Sequence, residues 1–219
     1  MIEGVIFDMD GVLLDNARYH IRAWMQLGKE LGEELTPEAI RSVFGRRNRE
    51  ILPAIMKNPP PDDEAIRLTQ RKEALYRELI RGEIKPLPGL MDFLASLEKQ
   101  GIPAAVGTSA PTENVEMTLE GLGLKSYFAA VVIGAEVARS KPAPDIFLAA
   151  AKRINLPPGN CVVFEDSASG LQAAQAAGCP AVALATTHTV DELRNYTAVA
   201  IVPNFVKVAI ADCGLRIAD

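Results

Sequence analysis

The chain has only three cysteines in 219 residues, Cys161, Cys179 and Cys213. Their number is odd, their spacings are wide and no CxxC occurs, which argues against a disulfide framework or a zinc knuckle. Reduced thiols are expected, with Cys161 and Cys179 filling a core beside apolar runs. Positive charge is also short: 23 Lys and Arg against 28 Asp and Glu leave a formal net charge of −5. No summed positive field is available to condense on nucleic acid or an anionic membrane, so a few local cations must hold any anionic ligand. Long hydrophobic runs are missing as well. None approaches the ~20 residues needed to span a bilayer, and the first residues run into a strand-like stretch without a charged-then-apolar leader. The expectation is a cytoplasmic, monomeric protein with neither nucleic acid nor membrane as partner. What remains, 48% hydrophobic and 23% charged residues, is the composition of an ordinary globular chain.

Short apolar runs recur along it: VIF at 5–7, AAV at 104–106, AVVI at 130–133, VVF at 162–164, AVAL at 181–184 and AVAIV at 198–202. Helical patterns lie between them, as in Pro88–Gly101 and in "SASGLQAAQAA" from Ser167 to Ala177. This alternation predicts βαβ units and a doubly wound, Rossmann-like α/β fold with a parallel sheet buried on both faces. Residues 15–85 break the rule, with no strand-like run and four amphipathic helical stretches, Arg18–Leu31, Pro37–Val43, Arg49–Met56 and Asp62–Arg81. The proline-rich "KNPPPDD" must be a turn. Two domains are expected: a core of residues 1–14 and 86–219, and a helical cap of residues 15–85. The cap would project from the carboxyl end of the first strand, where open α/β sheets bind ligands.

The chemistry starts at "GVIFDMDGVLLDN". Asp8 ends the first run, Asp10 follows one residue later, and Gly11 lets the chain turn. Two carboxylates so close repel unless a cation or a shared proton relieves them. A second acidic pair, Glu165 and Asp166, follows the run "CVVF" and reaches the same sheet edge. Carboxylate oxygens without nearby His or Cys specify a hard ion, and Mg²⁺ is the natural choice for Asp8, Asp10, Glu165 and Asp166. Thr108 in "GTSAPTEN" stands ahead of a helix whose N–H groups can meet phosphate oxygens. Lys141 in "SKPAPDIF" precedes prolines that fix a rigid turn. Taken singly, an acidic pair is commonly a solvated strand end, Thr108 a helix cap and Lys141 a surface charge. Their order and setting instead suit phosphoryl transfer, which needs a nucleophile, an acid/base, a metal site and cations.

"FDMDGVLLD", "GTSA", "SKPAPDIF" and "VFEDSASGLQAAQAAG", in that order and at those separations, resemble the four motifs of the haloacid dehalogenase superfamily over essentially the whole chain. The resemblance implies Asp8 as the nucleophile that forms an aspartyl-phosphate and Asp10 as the acid/base. It further implies Mg²⁺ on Asp8, the Asp10 carbonyl and Asp166, with Glu165 as a further candidate ligand, while Thr108 and Lys141 grip the phosphoryl group. The second Asp is similar to phosphatases and unlike true dehalogenases. "DNARYHIRAW" and "QRKEALY" resemble the β-phosphoglucomutase branch, which implies that His20, Trp24 and Lys72 face the substrate with Ser109, Ala110 and Asn114. The cap loop departs from that branch: it carries Phe44–Gly45 and "RRNRE", with Asn48 where an arginine is expected, and "APTEN" supplies no lysine. Gly45, Arg46 and Arg49 are nevertheless expected at the substrate. Trp24 and Met25 are also expected in the cap core, and His188 is given no role. Since a mutase needs both missing cations for a second phosphate, a hydrolase of small phosphorylated metabolites is expected. A phosphohexomutase and an inactive binding protein are the alternatives.

Overall fold

The structure is a computed structural model and describes residues 2–208; Cys213 lies outside them. In chain order the elements are β1 (Gly4–Phe7), α1 (Ala17–Glu30), α2 (Pro37–Arg41), α3 (Asn48–Ile55), α4 (Asp62–Ile80) and α5 (Leu90–Lys99). Then come β2 (Ala104–Thr108), α6 (Thr112–Gly121), β3 (Ala130–Ile133), α7 (Asp145–Arg153), β4 (Cys161–Glu165) and α8 (Ala168–Ala177). The last are β5 (Ala181–Leu184), α9 (Val190–Leu193) and β6 (Ala200–Val202). All six strands are parallel, in the order β3-β2-β1-β4-β5-β6. The doubly wound α/β expectation holds, and every expected strand is present.

The pleat sorts the apolar runs onto two faces. Val5, Phe7, Val162 and Phe164 pack on one side, and Ile6, Cys161 and Val163 on the other, as the period of two requires. On the first face Phe7 stacks on Phe164 at 5.3 Å, ringed by Phe93, Phe128 and Phe205. The second face is thinner: Ala150, Ala151, Ala173 and Ala174 let α7 and α8 lie close to the sheet. Cys161 and Cys179 are buried free thiols, as expected; burial pushes them up to about 11 and about 12.

Between β1 and β2 all regular structure is helical. In α1 and α4, Trp24, Leu27, Leu75 and Tyr76 are buried, continuous with the apolar cluster on the first sheet face. Met25, expected in that core, is 40% exposed, because it lies on the opposite side of α1 from its neighbours Ala23 and Leu27. The central position of β1 decides the site. Its neighbours are β2 and β4, so the chain leaves β1 to opposite sides and opens a crevice at the carboxyl ends of the three strands.

Candidate active site

Those three strand ends carry Asp8, Thr108 and the pair Glu165–Asp166. Gly11, at φ +74°, turns the chain back after β1 and packs against the Asp166 carboxylate. The turn is closed by Asn16, whose Oδ1 accepts from Gly11 N (3.0 Å) and whose Nδ2 donates to Asp10 Oδ1 (2.6 Å) and Tyr76 Oη (2.7 Å). Thr108 is buried, and its Oγ1 accepts from Ala110 N at 3.1 Å.

Lys141 is buried behind Asp8. Its Nζ lies 2.9 Å from Asp8 Oδ1 and 2.6 Å from Glu165 Oε1. The first is an ion pair whose angle falls outside hydrogen-bond geometry, so Asp8 Oδ1 is a buried oxygen with no hydrogen-bond donor. Glu165 is saturated differently: Oε2 accepts from the backbone N of Asp166 and of Ser167, each at 2.7 Å, and from Ser167 Oγ at 3.0 Å.

Asp8, Glu165 and Asp166 each bring an oxygen within 4.8 Å of the others. Three carboxylates against one ammonium leave a surplus of two negative charges. Burial accordingly pushes Asp8 up to about 7; Lys141 opposes this, while Glu165 and Asp10 add to it. Burial, with Glu165 and Asp8, lifts Asp166 well above the carboxylate range, although Thr187 donates to its Oδ2. Oxygen-only donors and three clustered carboxylates that a single ammonium does not neutralise fit a hard divalent cation. Glu165 stands in the cluster, but its oxygens already accept from four donors and hold Lys141 and the turn into α8.

Asp10 behaves in the opposite way. Burial opposes its ionisation, yet His20, Asn16 and Lys72 together hold its carboxyl below the usual range. His20 Nε2 is 3.4 Å from Asp10 Oδ1, and the ring stacks on Tyr76 at 3.8 Å. Lys72 Nζ is 2.8 Å from His20 Nδ1 and lies over the Trp24 ring at 5.3 Å. The chain of contacts joins α1 and α4 to Asp10.

One cavity brings together Asp8, Asp10, Thr108, Ser109, Ala110 and Asp166 from the strand ends with His20, Trp24, Gly45, Arg46 and Lys72 from the helices and the loop between them. Four expected residues do not line it: Lys141 and Glu165 lie behind Asp8, and Arg49 and Asn114 are elsewhere. Arg49 points outward, 61% exposed, toward Asp62, because the turn into α3 directs its side chain to solvent. Asn114 is fully buried behind the cavity, donating to Glu73 Oε2 (2.6 Å) and accepting from Arg77 (2.9 Å). Four polar lining residues were not expected from the sequence: Asn16, Asn48, Glu73 and Thr187. Thr187 carried a usable signal, since it follows β5 at the strand edge that bears the other site groups. Glu73 carried none, being one of many acidic residues on a charged helix.

The loop between α2 and α3 borders the cavity through Phe44, Gly45 and Arg46. Ser169 Oγ donates to Phe44 O and Ser109 Oγ to Gly45 O, both at 2.6 Å, while Arg47 donates to Val137 O at 2.6 Å. Gly45 has φ +85°, and a Cβ there would meet the Ser167 and Ser169 hydroxyls. Gly45→Ala is expected to cost about 1–2 kcal/mol of backbone strain and to unseat the loop. Steady-state kinetics should show KM rising at least about tenfold, roughly 1.4 kcal/mol; an unchanged KM would mean that the loop does not bear on substrate.

Known proteins share this architecture. Residues 5–184 match the family model described as haloacid dehalogenase-like hydrolase. The fructose-1-phosphate phosphatase YqaB of Escherichia coli is 38% identical over 179 residues, 82% of this chain and 94% of that one. The phosphorylated carbohydrates phosphatase of Thermotoga maritima is 34% identical over 177 residues, 81% and 82% of the two chains. The crystal structure of a β-phosphoglucomutase from Clostridium difficile superposes with a TM-score of 0.86 at 28% identity, covering 96% of this chain and 95% of that one. The parallel sheet with its acidic strand ends, and the family match across most of the chain, make this protein a member of the haloacid dehalogenase-like hydrolase family.

Proposed function

We propose that the chain is a phosphatase that removes phosphate from a small, sugar-like phosphate monoester through a phosphorylated Asp8, with Mg²⁺ as cofactor. The observation that carries this reading is the meeting of Asp8, Asp10, Thr108 and Asp166 in one cavity with Lys141 2.9 Å behind Asp8. Both curated relatives named above are phosphatases, one of fructose 1-phosphate and one of phosphorylated carbohydrates.

In the first step an Asp8 carboxylate oxygen forms a bond to phosphorus as the ester P–O bond breaks, and Asp10 gives its proton to the leaving oxygen. His20, Asn16 and Lys72 hold the Asp10 carboxyl below the usual range in the protein alone, and the negative charge of a bound phosphate would oppose that shift. In the second step water attacks phosphorus, Asp10 takes its proton, and the Asp8–phosphorus bond breaks to release phosphate. Lys141 and Thr108 hold phosphoryl oxygens throughout. Asp8, Asp166 and the Asp10 carbonyl would hold the divalent cation, and Glu165 fixes Lys141. The cation supplies positive charge against the phosphoryl oxygens when bound.

Hydrolysis is favoured over transfer to a sugar because the cap side offers little to a second phosphate: Asn48 is turned to Glu73, and Ala110 and Pro111 stand where a lysine would be needed. Arg47 is committed to core carbonyls and Arg49 to Asp62, which leaves Arg46 as the one arginine of the loop that lines the cavity. Released phosphate, measured with Mg²⁺ over a panel of phosphorylated metabolites that includes fructose 1-phosphate, tests the reading. β-Glucose 1-phosphate with glucose 1,6-bisphosphate should yield phosphate faster than glucose 6-phosphate, and the opposite ratio would establish a mutase. Asp166→Ala is expected to raise the half-saturating Mg²⁺ concentration at least about tenfold, from the loss of one hard ligand; calorimetric titration with Mg²⁺ that matches the wild type would remove Asp166 from the metal site.

A further inference from the structure

We infer that Glu73 is a specificity-determining residue: by neutralising Lys72 on the cap side of the cavity it selects substrates with a neutral, hydroxylated far end and rejects those with a second phosphate. The inference rests on the phosphatase reading above and adds what that reading leaves open, the charge the far end of the substrate can carry.

Glu73 follows Lys72 directly on α4, yet both side chains are buried, at 6% and 2% exposure, and both line the cavity. Neighbouring helix positions point about 100° apart, so both can be enclosed only because α4 is covered from several sides. The Glu73 carboxylate ties α4, through its own Lys72, to two of the elements that cover it, α3 and α6. Oε1 accepts from Lys72 Nζ at 2.8 Å and from Asn48 Nδ2 of α3, and Oε2 accepts from Asn114 Nδ2 of α6 at 2.6 Å.

This arrangement has two consequences for a ligand. The Lys72 ammonium is the cavity's cation on α4, and its charge is matched 2.8 Å away, so a second phosphate would meet a pair of no net charge with a carboxylate at its surface. A buried pair of this kind cannot release its lysine to an anion without leaving Glu73 charged and unpaired. A carboxylate has about four acceptor positions, and three donors are accounted for, which leaves one acceptor for a substrate hydroxyl. At the Lys72–Glu73 pair a neutral polyol end is therefore matched, and a phosphate end finds no net positive charge. The other cavity-lining guanidinium of the cap, Arg46, has a buried Nε without a partner, and it also borders the groove beside Lys141 rather than the Lys72–Glu73 pair alone.

The experiment compares kcat/KM for fructose 1-phosphate and fructose 1,6-bisphosphate, with Mg²⁺ and with p-nitrophenyl phosphate as a reference for the core chemistry. Wild type should favour the monophosphate at least tenfold. Glu73→Gln, which keeps the shape and frees the Lys72 charge, should raise the bisphosphate-to-monophosphate ratio at least tenfold, whereas Glu73→Asp, which keeps the charge, should hold the ratio within threefold of wild type. An unchanged ratio in Glu73→Gln overturns the inference. If that variant does not fold, as read by its melting curve, the wild-type preference decides. Equal or better use of the bisphosphate by wild type, together with turnover of p-nitrophenyl phosphate, overturns the inference alone. Release of phosphate from none of the three substrates overturns the phosphatase reading and the inference with it.

Discussion

Asp8→Asn is expected to lower phosphate release by at least about 10³-fold, roughly 4 kcal/mol of barrier, while the protein remains folded. The amide has the shape of the carboxylate and sits at the end of a fully buried strand, so packing around Phe7 and Met9 is kept. What it loses is the oxygen able to form the bond to phosphorus. Asp8 is also the buried carboxylate whose ionisation is opposed by burial and by Glu165 and Asp10, so a neutral side chain relieves repulsion in the cluster. Thermal melting of the variant should match or exceed wild type in the absence of divalent metal. Beryllium fluoride, which mimics an acyl-phosphate, should mark Asp8 in the wild type and leave the variant unmarked. Activity within about tenfold of wild type, roughly 1.4 kcal/mol, would mean that another group is the nucleophile.

Lys141→Met is the second large effect, and it differs by damaging both activity and stability. Lys141 is 1% exposed, with its ammonium between Asp8 and Glu165 and 4.9 Å from the Phe147 ring. Burial opposes its charge, but the two carboxylates outweigh that and hold its pKa above the ordinary lysine range. Methionine fills much of the volume and supplies no charge. Glu165 is then left buried without its main counter-ion, a loss of about 3–5 kcal/mol in comparable pairs. Denaturant melts should show a shift of that size, and phosphate release should fall by at least about 10³-fold. Lys141→Arg should not restore turnover, because a planar five-donor fork cannot occupy the space of a compact ammonium between two carboxylates. A Met variant that melts like wild type would show that the pair adds nothing to stability.

These two predictions concern residues that the sequence exposes plainly. Asp8, Thr108 and Glu165–Asp166 each end an apolar run or follow it directly, and a parallel sheet places the ends of all such runs on one edge. The strand period does the same for the core: Val5 and Phe7 against Ile6 is readable from alternation alone. Lys141 was legible through its motif, although only the structure puts it behind Asp8, since the loop that carries it belongs to no strand or helix.

The cap side was less legible because a helix surface gives several inward directions and the sequence does not say which of them will be covered. Arg46, Arg47 and Arg49 look equivalent in "RRNRE", yet one borders the cavity, one donates to core carbonyls and one faces Asp62 in solvent. Asn114 and Glu73 meet only because α6 of the core and α4 of the cap come together, a contact between residues 41 positions apart. Met25 shows the same limit at the level of packing, being apolar in an amphipathic helix and still 40% exposed.

The sequence by itself determined the layered α/β architecture, the helical character of residues 15–85 and the carboxylate-rich strand ends, because strand period, helix punctuation and motif order are local properties of the chain. Only the tertiary structure decided which cap side chains reach the cavity, that Glu165 is occupied by four donors, and that Lys72 is neutralised by its own neighbour. Those outcomes depend on distances between segments far apart in the chain, and electrostatic pairing falls off with distance and burial in a way that no local pattern encodes.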